Sequence, residues 1–547
     1  MFRKTLISTV LAVSLAGCGV GVIGEYADDA VSPVGFDGPR PFVAAPAQLR
    51  RLTVTEYQNT LRHLFGADIN VPTDLEGDTI INGLEAIGAG STTLSANAVE
   101  KLELAALDVA AQVTVSTRRA RLGVCTPQNA GDAACWASLT TKLGRKIFRR
   151  PLSSDEVNRF AAIGPSATNA LAGDVWQGVA FIIGALLESP SFLFRVELPE
   201  PDPDDPTRGR YDSYAMATRL SYFLTHAPPD DALSALADED ALTDPRTVKE
   251  QAARLLATSG RDIALDDFFR DWLRLERLDD LTKSRDLFPA ASSELGPAMR
   301  DDILRSIATI VGDGSGDYRN LFTSDVAFAS AALGPVYGVA VTGDARQIQV
   351  PAQQGRVGLL GKPGFLALYA TSERSSPTLR GKYVREAVLC EAVAAPPPEV
   401  ETVVPEPDPN APTMRDRLAT HRTNPTCAAC HSMMDPIGLA LESFDGIGAH
   451  RVTDHGATLD LSGNIEETTF DGLAGLAGVL VDDERTTNCA ARTMYRYAVG
   501  HVESRNEEAT IIAINTQFAA GNFTIKALME AIASSDGFRY ASLAEVQ

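Results

Sequence analysis

Residues 424–451 read NPTCAACHSMMDPIGLALESFDGIGAHR, and within them Cys427, Cys430 and His431 form a C-x-x-C-H pattern. Four chemistries use such a pair of thiols: covalent haem attachment, zinc ligation, a redox disulfide, or none. Cys and His each occur seven times in 547 residues, so a chance C-x-x-C-H anywhere in this composition has odds on the order of one in a thousand. In c-type haem attachment two thiols add across the haem vinyl groups, and the adjacent imidazole is placed beneath the iron, so all three residues have a task. Zinc could recruit His450 and His455, spaced as H-x4-H, but nineteen residues separate Cys430 from His450 and His431 is left without a role. A thioredoxin-like disulfide expects a βαβ context that this segment lacks. The pattern therefore predicts haem c, bound covalently at Cys427 and Cys430 with His431 on the iron.

The residues that follow predict a wall for such a site. Asp435 is placed to cap a helix whose first residue is Pro436, with Ile437, Ala440, Leu441 and Phe444 on one face and Asp445-Gly446 ending it. Met433 and Met434 follow His431 too closely to cross to the opposite face of a haem. Met414, Met494, His455 and His501 are the candidate distal ligands, and the sequence does not choose among them.

Outward from the motif the pattern is mainly α. AAPPPEVETVVPEPDPNAPT, 394–413, reads as an extended Pro-rich linker, and 321–383 carries Gly-rich loops and short helices. Gly358, Gly361 and Gly364 give GxxGxxG, which matches no nucleotide-binding fingerprint and reads as turns. Earlier, RLTVTEYQNTLRHLFG carries a Thr53/Glu56 capping box and an apolar face of Tyr57, Leu61, Leu64 and Phe65; RRPLSSDEVNRFAAIG repeats the box with Ser153 and Glu156. PEPDPDDPTR, 199–208, reads as a boundary, after which Ala215, Met216, Leu220, Phe223 and Leu224 recur at helical spacing as core. His226, beside two prolines, has no partner signal. The expected layout is a signal and lipobox at 1–18, a tether at 19–48, and helical domains at 49–120, 121–198 and 209–340. A haem-motif domain at 350–455 and a C-terminal helical domain at 465–547 complete it. Hydrophobic residues make up 45% of the chain and charged residues 22%, enough apolar surface for each domain to fold. A net charge of −22 works against phosphate binding, which sets nucleic acid aside.

The N-terminus, MFRKTLISTVLAVSLAGCGV, has a basic start, an apolar run and small residues before Cys18, the layout of an export signal. Leu15-Ala16-Gly17-Cys18 resembles the bacterial lipobox, in which Cys18 is lipidated and tethers the chain to a membrane surface rather than across it. Gly19 rather than Asp after the cysteine points to the outer membrane, on its periplasmic face or at the cell surface. Outside Cys18 and the motif, four cysteines remain for a disulfide-permissive compartment: Cys125 pairs locally with Cys135, and Cys390 with Cys489 by elimination.

Six segments, RLTVTEYQNTLRHLFG, GRKIFRRPLSSDE, ATRLSYFL, SSPTLRGKYVREAVLC, CAACHSMMDPIGLALESFDGIGAHR and MYRYAVGH, resemble in order the signatures of a large exported bacterial family. Its members, common in planctomycetes and myxobacteria, string together five consecutive domains of unknown function, and the likeness spans about residues 49 to 545. The resemblance implies an exported, largely helical protein with a c-type cytochrome site, matched by Cys427, Cys430 and His431, and an association with polysaccharide. The expected function is electron transfer between one haem and an unidentified redox partner. The alternatives are a haem peroxidase or oxidase acting on an extracellular polymer, and a surface binding or scaffold lipoprotein with a structural metal site.

Overall fold

Local signals place the first helices. The Thr53 hydroxyl accepts from the Glu56 amide at 3.1 Å while the Glu56 carboxylate accepts from the Thr53 amide at 3.0 Å, and the helix Val54–Phe65 begins there. Tyr57, Leu61 and Phe65 enter the core with Leu64 at its edge. Ser153 and Glu156 form the same reciprocal cap for Ser154–Ala161, with Leu152 packed half-buried beside it.

The computed structural model describes residues 41–91, 93–312, 314–395, 404–423 and 425–543. Cys18, the N-terminal signal and tether, and residues 396–403 of the Pro-rich linker lie outside the described residues. The architecture is multidomain and mainly α, and its strands are pieces of two to four residues in two- and three-stranded sheets. No described helix is long and apolar enough to cross a membrane.

Two large apolar clusters organise the packing. One gathers the helices between Val54 and Leu193 around Trp136, Ile182, Ile183 and Phe192. The other extends from Leu84 to Ala541 and takes in the helices around Trp272, Phe322, Phe444 and Phe518. The helix Ser213–Thr225 lies between them, buried at every position except Tyr214: Tyr222 belongs to the first cluster, and Ala215, Met216, Leu220, Phe223 and Leu224 to the second.

Residues 199–208 are not an open linker. Pro199–Pro201 pairs antiparallel with Gly209–Tyr211, and Tyr540–Ala541 adds to the other side of that strand. The prolines occupy an edge, where the missing N–H removes no ladder bond. The turn is closed by Arg208 Nε, 2.7 Å from the buried Asp202 carboxylate.

Both disulfides form, Cys125 with Cys135 and Cys390 with Cys489. The second joins the end of a π turn, Val384–Val388, to the helix Glu484–Val499.

Candidate cofactor site

Cys427, Cys430 and His431 sit on one helix, Pro425–Leu439. At i, i+3 and i+4 their side chains share one face, with both thiols free and half-buried. The His431 Nδ1 lies 2.9 Å from Oδ2 of Asp435, a carboxyl with no exposed surface, whose Oδ1 accepts from the Thr378 hydroxyl at 2.8 Å. A carboxylate can only accept, so in this contact Nδ1 is the donor when the Asp435 side chain is ionised. A buried carboxylate behind the ring in this way fixes a ligating histidine's tautomer and orientation.

This arrangement corrects the expected helix start. Asp435 does not cap a helix beginning at Pro436; the helix starts before the motif and Pro436 lies inside its last turns. The Asp435 side chain turns back one helical turn to His431 instead of bonding the amides ahead of it. Ile437, Ala440, Leu441 and Phe444 are buried as predicted, but in the large central cluster, where they anchor the C-terminal end of the helix and the turns beyond it.

The motif helix is held by backbone approach. A Cβ on Gly381 would stand 1.9 Å from the carbonyl oxygen of Met434, and one on Gly438 would stand 1.8 Å from that of Pro377. The helices Pro377–Tyr383 and Pro425–Leu439 therefore cross with no room for a side chain at either point. Arg380, with no exposed surface, donates to the carbonyls of Leu366, Leu441, Phe444 and Asp445. Its burial and the nearby cations pull it down to about 10 against the attraction of Glu442. Arg385 donates to the carbonyl of Met433 at 3.1 Å and pairs with Glu391 and Glu466, both at 2.6 Å. The segment SSPTLRGKYVREAVLC thus supplies Thr378, Arg380, Gly381, Arg385 and Cys390 to brace the C-x-x-C-H helix.

The other candidates are placed elsewhere. Met433 is exposed, and Met434 is buried against Gly381. Met414 packs with Leu418 and Leu439, the last of these about 12 Å along the helix from His431 at 1.5 Å per residue. Met494 is part of the central cluster. The His501 Nε2 is 3.0 Å from Glu507, and the His455 Nδ1 is 3.1 Å from Asp454. His450 stacks edge-on against Phe444. The zinc alternative needs Cys427, Cys430, His450 and His455 in one cluster. Among the described residues no group of three or more His, Cys, Asp or Glu side chains converges to hold a metal ion. Cys427, Cys430 and His431 share one helix face, with the residue types and spacing that covalent haem attachment requires.

Sequence reasoning missed two features. Asp435 reads locally as a cap, and only its burial beneath Thr378 shows that it orients His431. His226, which carries no partner signal in the sequence, is buried with its Nδ1 3.1 Å from Asn59 and its Nε2 3.0 Å from Asp267. These partners lie 167 and 41 positions away, beyond any local signal.

Comparison with protein-family models finds five successive matches, each described as a protein of unknown function: DUF1587 over residues 50–115, DUF1595 over 135–197, DUF1592 over 211–339, DUF1588 over 356–454 and DUF1585 over 466–538. The motif helix falls in the fourth. No curated protein and no solved structure matches the chain.

Proposed function

From the premise of a chain built of five consecutive domains of unknown function, we propose that it is an exported, lipid-anchored monohaem c-type cytochrome-like protein that exchanges electrons with a redox partner. The observation that carries this reading is the helix bearing Cys427, Cys430 and His431 on one face, with the His431 Nδ1 held by buried Asp435. Cys427 and Cys430 would hold the haem covalently, and His431 would present Nε2 to the iron. Once bound, the group supplies reversible one-electron transfer at a potential set by its ligands and their hydrogen bonds. Asp435 keeps the imidazole in one tautomer and makes it a more basic ligand. Gly381, Gly438 and Arg380 hold the helix rigid, which limits the reorganisation that accompanies each electron. Export is proposed from the leader and Cys18; two disulfides, one of them closing over the motif segment, suit an oxidising compartment.

A second reading, haem peroxidase or oxidase chemistry, is favoured by one observation. Met414 and Met494 are packed in apolar clusters, and His455 and His501 bond Asp454 and Glu507, so each candidate distal ligand is already engaged. The test for both is expression with the native leader in a host competent for haem attachment, beside a control cytochrome. The denatured polypeptide is examined for retained haem, and the reduced protein for carbon monoxide binding. Covalent haem with an inert iron supports electron transfer, and carbon monoxide binding supports the catalytic reading. A polypeptide without haem, while the control matures, refutes both.

A further inference from the structure

Large apolar side chains are exposed together where the chain enters the fold. The strand Arg50–Arg51 pairs antiparallel with Phe194–Arg195, with Arg50 opposite Arg195, and both of these arginines are buried. Continuing that register sets Leu49 opposite Val196, and the alternation of an extended chain turns both outward. The residues that follow keep the alternation: Glu197 is buried against Arg195 and Arg219, whereas Leu198 is 62% exposed. Leu49 on the facing stretch is 52% exposed. Two further residues extend the row. A Cβ on Gly209 would meet Pro199 at 2.6 Å and the Leu543 side chain at 2.9 Å, so the exposed Leu543 lies beside the residue that follows Leu198. Ser542 donates its amide to the carbonyl of Ala45 at 2.8 Å, which brings the stretch containing exposed Val43 alongside the same end.

Apolar residues scattered singly over a surface need no explanation, but here three separate stretches of the chain bring theirs to adjoining places. The charges that flank the row are paired with each other, Arg51 with Asp78 at 2.5 Å and Arg210 with Glu200 at 2.8 Å. A partner recognised by charge finds little to hold at these pairs, whereas an apolar one finds leucine and valine. The position of the row names the occupant. Only twenty-two residues lie between Cys18 and Pro41, and Val43 follows directly. A chain of that length spans at most about 75 Å, so a lipid on Cys18 would hold this end of the body close to a bilayer and at a high effective concentration against it.

We propose that the face formed by Val43, Leu49, Val196, Leu198 and Leu543 rests on the lipid surface that carries the anchor and seats the body there in one orientation. This inference rests on the lipid anchor at Cys18 proposed above, and adds to it the side of the protein that meets the membrane. The leucine and valine side chains enter the boundary between headgroups and acyl chains, as interfacial apolar faces do, without any segment crossing the bilayer. The face shares no residue with Cys427, Cys430 or His431, and stands whether or not those carry haem.

The test uses the mature chain from Cys18 onward with one added tryptophan, either Leu198→Trp or, at a position of matched exposure in the helix Ala96–Val113, Leu104→Trp. Each protein is held on vesicles of phosphatidylethanolamine and phosphatidylcholine with brominated acyl chains, and its emission is compared with that on plain vesicles after subtraction of the native tryptophans. The expected result is at least twofold quenching of the tryptophan at 198 and almost none at 104. Leu49→Trp repeats the measurement should the first variant fail to fold. Intact mass reports whether Cys18 is acylated. A second preparation, with a hexahistidine tag in place of Cys18 and nickel-chelating lipid in the vesicles, reads the face without acylation. Absent acyl groups therefore overturn the anchor, while the tag-held chain still decides the face. Unquenched emission at 198 and 49 in chains held on the vesicles overturns the proposal, as does equal quenching at 104. A dimer of the tagged chain in solution that Leu198→Glu splits also overturns it, and assigns the face to a second copy.

Discussion

The helices from Val54 to Leu193 and the segment from Pro377 to Glu466 both carry a buried arginine bonded to backbone carbonyls, Arg149 in the first and Arg380 in the second, and differ in what else fixes their helices. The first region is assembled from amphipathic helices with reciprocal caps, closed by the local Cys125–Cys135 bond. The second holds its key helix by carbonyls set against glycines, by Arg380 and Arg385 donating to backbone oxygens, and by a disulfide reaching 99 positions along the chain. A helix face tolerates a change of side chain at moderate cost because neighbours repack. A backbone carbonyl at van der Waals distance cannot move without moving its helix. Rigidity in the second region is what a precisely placed pair of thiols and an imidazole require.

The disulfides offer the largest contrast. Replacing Cys390 and Cys489 together by Ser should destabilise the region by about 4 to 5 kcal/mol, against about 3 kcal/mol for the Cys125–Cys135 pair with its separation of 10. Urea unfolding followed separately at each region measures both, and equal losses would break the comparison.

Gly438→Ala should be next, about 3 to 4 kcal/mol, since the added carbon meets the Pro377 carbonyl and the two helices must separate. Gly478→Ala is the internal control: nothing lies within 4 Å of its added carbon in the helix Gly472–Asp482, so about 0.5 to 1 kcal/mol of stabilisation is expected. Hydrogen exchange of the motif helix should rise only in the first.

Asp435→Asn removes the carboxylate beneath His431 and Thr378 and should cost about 1 to 3 kcal/mol. Its specific signature is the His431 ring: ¹⁵N shifts should report a proton fixed on Nδ1 in the native protein and mixed tautomers in the variant. An unchanged tautomer would assign Asp435 a packing role alone.

The smallest effect belongs to the first region. Ser153→Ala should cost about 1 kcal/mol through the lost cap. In the native protein the Glu156 carboxyl is held down to about 2 by Arg150 and the Ser153 amide. A depressed folded value means that its contribution is complete above the ordinary 4.5 and fades as pH falls toward 2. Melting curves at pH 6 and pH 3 should therefore differ less in Glu156→Gln than in the native chain, whereas Ser153→Ala, which keeps Arg150 and the amide of residue 153, should leave most of that difference in place.

Much of this was legible in residue order. Capping boxes, apolar stripes and the disulfide pairs are short-range or countable features, and they stand as read. Other expectations failed for a common reason. Asp435 followed by Pro436 is a good local helix start, yet the burial of Asp435 under Thr378 outweighed it and the helix began earlier. The run at 199–208 does fall between the matched segments 135–197 and 211–339, as a boundary should, but its first residues pair with Gly209–Tyr211, a distant-contact feature its composition does not show. His226 gained Asn59 and Asp267 in the same way.

By itself the sequence determined the helical class, the two disulfides and the common helix face of Cys427, Cys430 and His431. Each depends on spacing along one helix or on residues few enough to count. Tertiary structure alone decided that Asp435 orients His431, that Gly381 and Gly438 set the helix crossing, and that residues 45–49 run beside Val196 and Ser542. Those depend on which distant backbones approach, and a buried polar group takes the nearest partner that satisfies it, however far away in the chain.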